Sequence, residues 1–394
     1  LLGTVEVRGQ TLPVPVLPAE QAPDAHPLSW DYAVGAGLGY DNNIDFAGPD
    51  GPSGGAFAPR GAIMRGFYSP RGKLTALVTS RWTGYPTESN LSRYYGDVGL
   101  DGDYQLSPHT SIKGGVSYQL GYTDAARIVL QQGVALPLVK SRSVVTKLDL
   151  GQRLGTHTIL RVAGRYYRTT FDSPTLVDGA SARADVVLER LFSARATGAL
   201  VYAVEDFLAA GATRADYLTH YGSLQWTRVI FPRAAILLEG GASYTPDAAL
   251  VGLERKQSFF GGATFTHQIA RSNVFVFLRR EVTPGFGLGA SLLESRVGAR
   301  GAVPLRRDWR LVGGFTYARP DPPSDPSTAN LYAPYADGFV AVSLHLKKSL
   351  ELSGESRYRR RGETSAVGVT SSFQAGVYLT FAPGKLKVPD LILD

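Results

Sequence analysis

The stretch Phe373-Gln374-Ala375-Gly376-Val377-Tyr378-Leu379-Thr380-Phe381 places apolar or aromatic residues at its odd positions, and mostly polar or small ones at its even positions. A period of two belongs to a β-strand whose two faces meet different surroundings. The pattern recurs roughly eighteen times between residues 29 and 381. An apolar face repeated that often, backed by a polar one, is the pattern of strands standing between lipid and water. The expected fold is all-β: a transmembrane antiparallel up-and-down β-barrel of about eighteen strands.

Composition agrees. The chain has 394 residues, with 45 Gly, 20 Tyr, 17 Phe and one Met. It contains no run of 18 apolar residues, so no helical membrane span is available. The mean hydropathy of -0.06 fits a wall in which only every second residue meets lipid. Cysteine is absent, which excludes disulfides and thiolate metal sites. The formal charge is +7. Two readings fit it: surface Arg and Lys meeting anionic headgroups, as of lipopolysaccharide, or a cationic lumen favouring anionic solutes.

The links between strands alternate in length. Tight ones include Ser69-Pro70-Arg71-Gly72 and Ser107-Pro108-His109-Thr110; long ones include Asp41 to Pro59, Thr123–Arg142 and Glu205–Asp216. Short periplasmic turns and long extracellular loops have this rhythm. An even strand number returns both termini to the periplasm. Residues 1–28, carrying five prolines from Pro13 to Pro27, read as a Pro-rich periplasmic extension, 29–381 as the barrel and 382–394 as a periplasmic tail. The opening Leu1-Leu2-Gly3-Thr4 lacks a basic segment and an apolar core. The expectation is a Gram-negative-type outer-membrane protein whose secretion signal has been removed.

The period of two also sorts the charges. Along Ile112–Tyr122 the outward set is Ile112, Gly114, Val116, Tyr118, Leu120 and Tyr122, while Lys113, Gly115, Ser117 and Gln119 face inward. The lumen is therefore expected to be lined by Asp97, Asp101 and Asp103 on one strand, and by Lys113, Lys147, Asp149, Arg153, Arg161 and Arg165 on those that follow. Glu294, Arg296 and Arg300 join them from a later strand. An acidic ladder opposing a basic one reads either as a transverse field that filters solutes or as pairs that stiffen the wall. Arg279-Arg280-Glu281 breaks the rule by placing a charge on each face, which requires one of them to lie at headgroup level. Two apolar segments in long links, Ala125–Leu138 and Phe207–Ala210, read as loops that fold into the lumen, pack on a neighbour, or stay solvated.

Catalysis has little support. The six His show no metal-ligand spacing, and no Gly-rich phosphate loop opens a helix. Neither an enzyme, a cofactor nor nucleic acid is implied. In the tails, Thr4-Val5-Glu6-Val7 could add as a strand to a periplasmic or outer-membrane protein partner, with Val5 and Val7 as contacts, and Leu391 and Ile392 could do the same at the other end. Residues 4–9 also loosely resemble the energy-coupling box of TonB-dependent transporters, whose plug domain and larger barrel do not fit this chain.

The segment Val34-Gly35-Ala36-Gly37-Leu38-Gly39-Tyr40-Asp41-Asn42-Asn43-Ile44 resembles the opening strand of the outer-membrane β-barrel porins of the second type, where a glycine-rich first strand ends in Gly-Tyr-Asp-x-Asn. That resemblance implies an exit or diffusion channel associated with exopolysaccharide systems. The polar alternative for Asp41, Asn42 and Asn43 is a turn that ends the strand. Together these readings point to a channel for polar solutes or a saccharide chain; the alternative is a plugged structural or assembly barrel in an envelope complex.

Overall fold

The computed structural model describes residues 28–46, 51–123, 138–174, 176–210, 215–246, 256–269, 272–285, 290–321, 333–362 and 369–383. Its strands form one antiparallel sheet in sequence order, closed by pairing of the first, Leu28–Asp41, with the last, Thr370–Phe381. Gly54–Phe57 and Arg60–Ser69 both pair with the first strand in one unbroken register, from Leu38↔Phe57 to Gly35↔Arg60. Between them Gly37 and Ala58 exchange backbone bonds of 3.1 and 2.9 Å. They are two pieces of one strand, interrupted where Pro59 has no N–H to give. The barrel thus has eighteen strands. Closure lets every strand pair on both sides, which is what a sheet in lipid requires.

The chain enters and leaves at the tight-turn end: Leu28 lies opposite Phe67, and Phe381 opposite Leu350. The outward residues form the apolar exterior, with Leu224 68% and Phe259 80% exposed. Arg280 is on this outward face, and its guanidinium meets Asp321 at 2.5 Å and Ser295 at 3.1 Å. Asp321 follows directly on strand Trp309–Pro320, so the pair lies at the loop-side rim and the expected exception is resolved.

The seam explains the glycine-rich first strand. Gly35, Gly37 and Gly39 face inward, and the Tyr378 ring lies flat where a Gly37 side chain would be. Arg60 crosses the trough, stacking 4.2 Å from the Tyr378 ring centre and reaching Glu355 at 2.9 Å and Thr380 at 3.2 Å. At the loop end, Asp41 accepts hydrogen bonds from Gln374 at 2.6 Å and Ser372 at 3.2 Å. Asn42 accepts from the Phe373 N–H at 2.7 Å, and Asn43 donates to the Ser371 carbonyl at 2.9 Å. Asn43 also takes the Phe46 N–H, at 3.1 Å, in a turn that ends the strand. The residues that carry the family resemblance thus fasten the first strand to the last.

One expectation is corrected. Phe207–Ala210 is not a loop; it completes strand Ala196–Ala210, whose partner Ala215–Phe231 is two residues longer. The next strand, Ala234–Tyr244, reaches only as far as His220, and Gln257–Ile269 pairs with its successor only up to Arg280. The hairpins on either side of this short pair overhang it. Phe207 and Tyr217 from one, Val282 and Leu292 from the other, belong to a single buried apolar cluster. Phe207 is 0% exposed and its ring centre is 5.0 Å from that of Tyr217.

Candidate functional site

The inward faces enclose a cavity of about 740 Å³ at mid-barrel, bordered by residues from strands all round the wall. Its most organised feature is one hydrogen-bonded row that crosses six neighbouring strands: Asp101, Gly115, Lys147, Arg165, Arg183 and Glu205. Three cations thus stand side by side between two carboxylates, and all six residues line the cavity. Lys147 Nζ reaches back across Gly115 to Asp101 Oδ1 at 3.0 Å. A Cβ at Gly115 would fall 2.9 Å from Lys147 Cε, so a side chain there would obstruct the bridge. At the other end Arg183 is held by Asp185 at 2.8 Å and Glu205 at 3.8 Å, over the Tyr221 ring at 4.8 Å. Glu205 in turn accepts from Ser181 at 2.6 Å and Tyr221 at 3.1 Å.

All twelve lumen candidates read from the sequence fall on inward faces, but they are not one site. The acidic ladder does not oppose the basic one across the lumen; the two meet along the same wall. Lys73 pairs with Asp103 at 3.4 Å, Lys113 stands in register between Asp103 and Asp149, and Arg161 meets Glu189 at 3.1 Å. Of the two readings of these ladders, the charges sit as local pairs along the wall and not as a field across the lumen. Arg153 lies at the tight-turn end beside His109. Glu294 and Arg296 are buried against each other on the far wall, and Arg300 lies 5.9 Å above the Phe339 ring. The Asp101–Lys147 bridge is half-exposed, and a double-mutant cycle with Asp101→Asn and Lys147→Gln should give a coupling of about 0–1 kcal/mol in equilibrium unfolding. A coupling several times larger would show that the bridge holds the wall together.

Residues absent from the sequence reading contribute as much. Arg60 sits one residue after Pro59, where the alternation is hidden by a loop-like composition. Asp337 accepts from Arg357 at 3.1 Å and from Tyr335 at 3.1 Å. Phe46, at φ 53°, turns its ring against Tyr335, with the Arg359 and Arg361 guanidiniums at 5.1 and 5.7 Å. This turn reaches the inner wall at the loop-side mouth. The signal for it was the odd-numbered arginine run Arg357, Arg359, Arg361, one inward charge every second residue. Val5, Val7, Leu391, Ile392 and most of the segment 125–138 lie outside the described residues. His345 meets Glu351 at 3.2 Å, and among the described residues no group of three or more His, Asp or Glu is placed to hold a metal ion.

The class defined by this geometry is a closed transmembrane β-barrel with a charged, paired inner wall. No protein-family model and no curated protein matches the chain. Among solved structures it is similar to Pseudomonas aeruginosa OccK11 (OpdR), at 11% identity over 90% of this chain and 95% of that one, TM-score 0.44. P. aeruginosa OpdQ aligns at 8% identity over 90% and 97%, TM-score 0.45. The siderophore receptor PirA of P. aeruginosa aligns at 7% over 89% and 80%, TM-score 0.44. At these identities and scores the likeness carries neither a fold nor a solute to this chain; the fold rests on the strand ladder itself.

Proposed function

We propose that the chain is an outer-membrane channel for small polar solutes that favours anions over cations. The observation that carries the reading is the row Lys147–Arg165–Arg183 on the wall of the central cavity. An eighteen-stranded barrel encloses room for water. Cations one strand apart, about 5 Å, act together on a passing anion more strongly than one alone. The tight turns, with the strand ends at Leu28 and Phe381 beside them, face the periplasm in this reading. A saccharide is the finer possibility, supported by the Tyr95, Tyr167, Tyr221 and Tyr378 rings that border the same cavity. The loop-side mouth, narrowed by Phe46 and the overhanging hairpins, supports the second reading of a plugged assembly barrel.

Planar-bilayer recording decides between them. Purified protein should give discrete conductance steps and, in a KCl gradient, a reversal potential of the sign set by chloride. Lys147→Gln with Arg165→Gln should move that potential toward zero with the barrel still folded. Absence of conductance in the wild type and also in Phe207→Ala/Leu292→Ala, which removes the overhang contacts, would leave the assembly barrel standing.

A further inference from the structure

The outward face is charged very unevenly. From Leu28 to Tyr122 its strands carry one charge, Arg65, which is sandwiched between Trp30 at 4.4 Å and Phe67 at 4.9 Å. The next two strands, Lys140–Arg153 and Thr158–Phe171, carry three: Lys140, Arg142 and Arg168. All three are exposed, and all sit in the loop-side end of their strands. They share a face with Leu148, Leu150, Val162 and Tyr166, the apolar exterior of the same strands.

Register places them together. Arg142 stands opposite Thr170, and Val144 opposite Arg168, so the two arginines are diagonal neighbours on adjacent strands. Such neighbours lie about 7–8 Å apart at their Cα atoms. Lys140 is two residues further along the strand, about 7 Å from Arg142. Among the described residues none of the three has a carboxylate partner. The nearest acid, Asp172, follows the strand end, where its N–H donates to the Lys140 carbonyl at 2.9 Å but its carboxylate forms no ion pair with the patch. Asp178, on the next strand, is turned to the Phe171 N–H at 2.7 Å. Tyr118 stands level with Arg168 and Tyr166 just below it, where amphipathic rings mark the edge of the apolar band.

A cation on the lipid side of a strand costs most at the bilayer midplane and little at the interface. Three unpaired ones at the interface repel each other unless an anion joins them. Arginine offers phosphate a planar fork of two donors, and lysine adds a mobile third charge. We infer that Lys140, Arg142 and Arg168 form a binding site on the outer wall for the phosphates of a glycolipid headgroup in the loop-side leaflet. Their spread over two strands fits two phosphates on one sugar headgroup better than one. The inference rests on the barrel standing in an outer membrane, and is independent of what passes through the lumen.

The test is native mass spectrometry of the detergent-purified barrel titrated with diphosphoryl lipid A, monophosphoryl lipid A and phosphatidylethanolamine. The wild type should retain diphosphoryl lipid A most strongly, and Lys140→Gln/Arg142→Gln/Arg168→Gln should weaken that binding by roughly tenfold or more. Phosphatidylethanolamine binding should not change. Arg190→Gln, at the tight-turn rim of the same exterior, should leave all three lipids unaffected. Heat-modifiable migration and unchanged bilayer conductance of the triple variant separate loss of the site from loss of the fold or of the channel. Equal binding of diphosphoryl lipid A by the triple variant and the wild type would overturn the site, as would an equal loss in Arg190→Gln. A wild type that holds phosphatidylethanolamine as tightly as diphosphoryl lipid A would overturn it too.

Discussion

Gly37→Leu should abolish assembly of the barrel, while Ala36→Leu, one residue earlier, should be tolerated. The two positions differ only in face. Ala36 points to lipid, and added apolar surface there meets more lipid. Gly37 points inward, where the Tyr378 ring already occupies the space of a side chain. A leucine would lift Tyr378 away, and Arg60 with it, since the guanidinium rests on that ring while it bonds Glu355 and Thr380. These contacts span the seam, where eight residue pairs from Val34↔Phe381 to Asp41↔Gln374 close the sheet. An unclosed seam exposes two rows of backbone N–H and C=O groups to lipid, each costing several kcal/mol. The cost far exceeds any plausible net stability of the barrel, about 5–15 kcal/mol. Unheated electrophoresis reads the outcome directly: Gly37→Leu should show no fast-migrating folded band, and Ala36→Leu the wild-type amount. Gly37→Leu with Tyr378→Ala should recover part of the folded band, because the space is returned. Wild-type folding of Gly37→Leu alone would mean that the glycine trough does not govern closure.

The same contrast explains how far the sequence could be read. Parity alone assigns faces, because lipid accepts only apolar side chains while the interior accepts almost anything; the lumen candidates from Asp97 to Arg300 therefore share one face of the sheet. Parity says nothing about neighbours across strands. That Asp101 meets Lys147 over Gly115 depends on a register set by one tight turn and one long link, and so parity left pairing and opposition of the ladders both open. Parity also fails where both faces are apolar. At Phe207-Leu208 the outward residue meets lipid and the inward one meets the opposing hairpin, so the alternation vanishes and the end of a strand reads as a loop. The register partner of Phe207, Tyr217, is aromatic on the same inward face and held part of the missing signal. Arg280 was legible as a rim charge, but its partner was not, because Asp321 is separated from it by 41 residues.

Glu294→Gln should be the most destabilising single change of charge in the wall. Two adjacent strands place Arg279 opposite Arg296 and Glu281 opposite Glu294. Like faces like across the strands, and opposite charges alternate along each strand. The four sum to zero, and Glu294 is 0% exposed, with both arginines almost as deeply buried. Arg296 donates from Nε to Glu294 Oε1 at 2.7 Å and forms an ion pair with the same carboxylate. Glutamine keeps the shape and removes the charge, leaving two buried guanidiniums with one carboxylate beside them. Breaking a buried pair by neutralising one partner costs about 3–5 kcal/mol. Relief of the Glu281–Glu294 repulsion offsets some of this, so urea unfolding in lipid vesicles should show a loss of about 3 kcal/mol. Glu294→Gln/Arg296→Gln restores neutrality and should recover most of that loss, since removing a whole pair is far cheaper than halving it. In bilayers the single variant, one unit more positive on the lumen wall, should move the reversal potential further toward chloride, and the double variant should return it. If Glu294→Gln instead unfolds like the wild type, the quartet is hydrated and belongs to the solute path rather than to the wall.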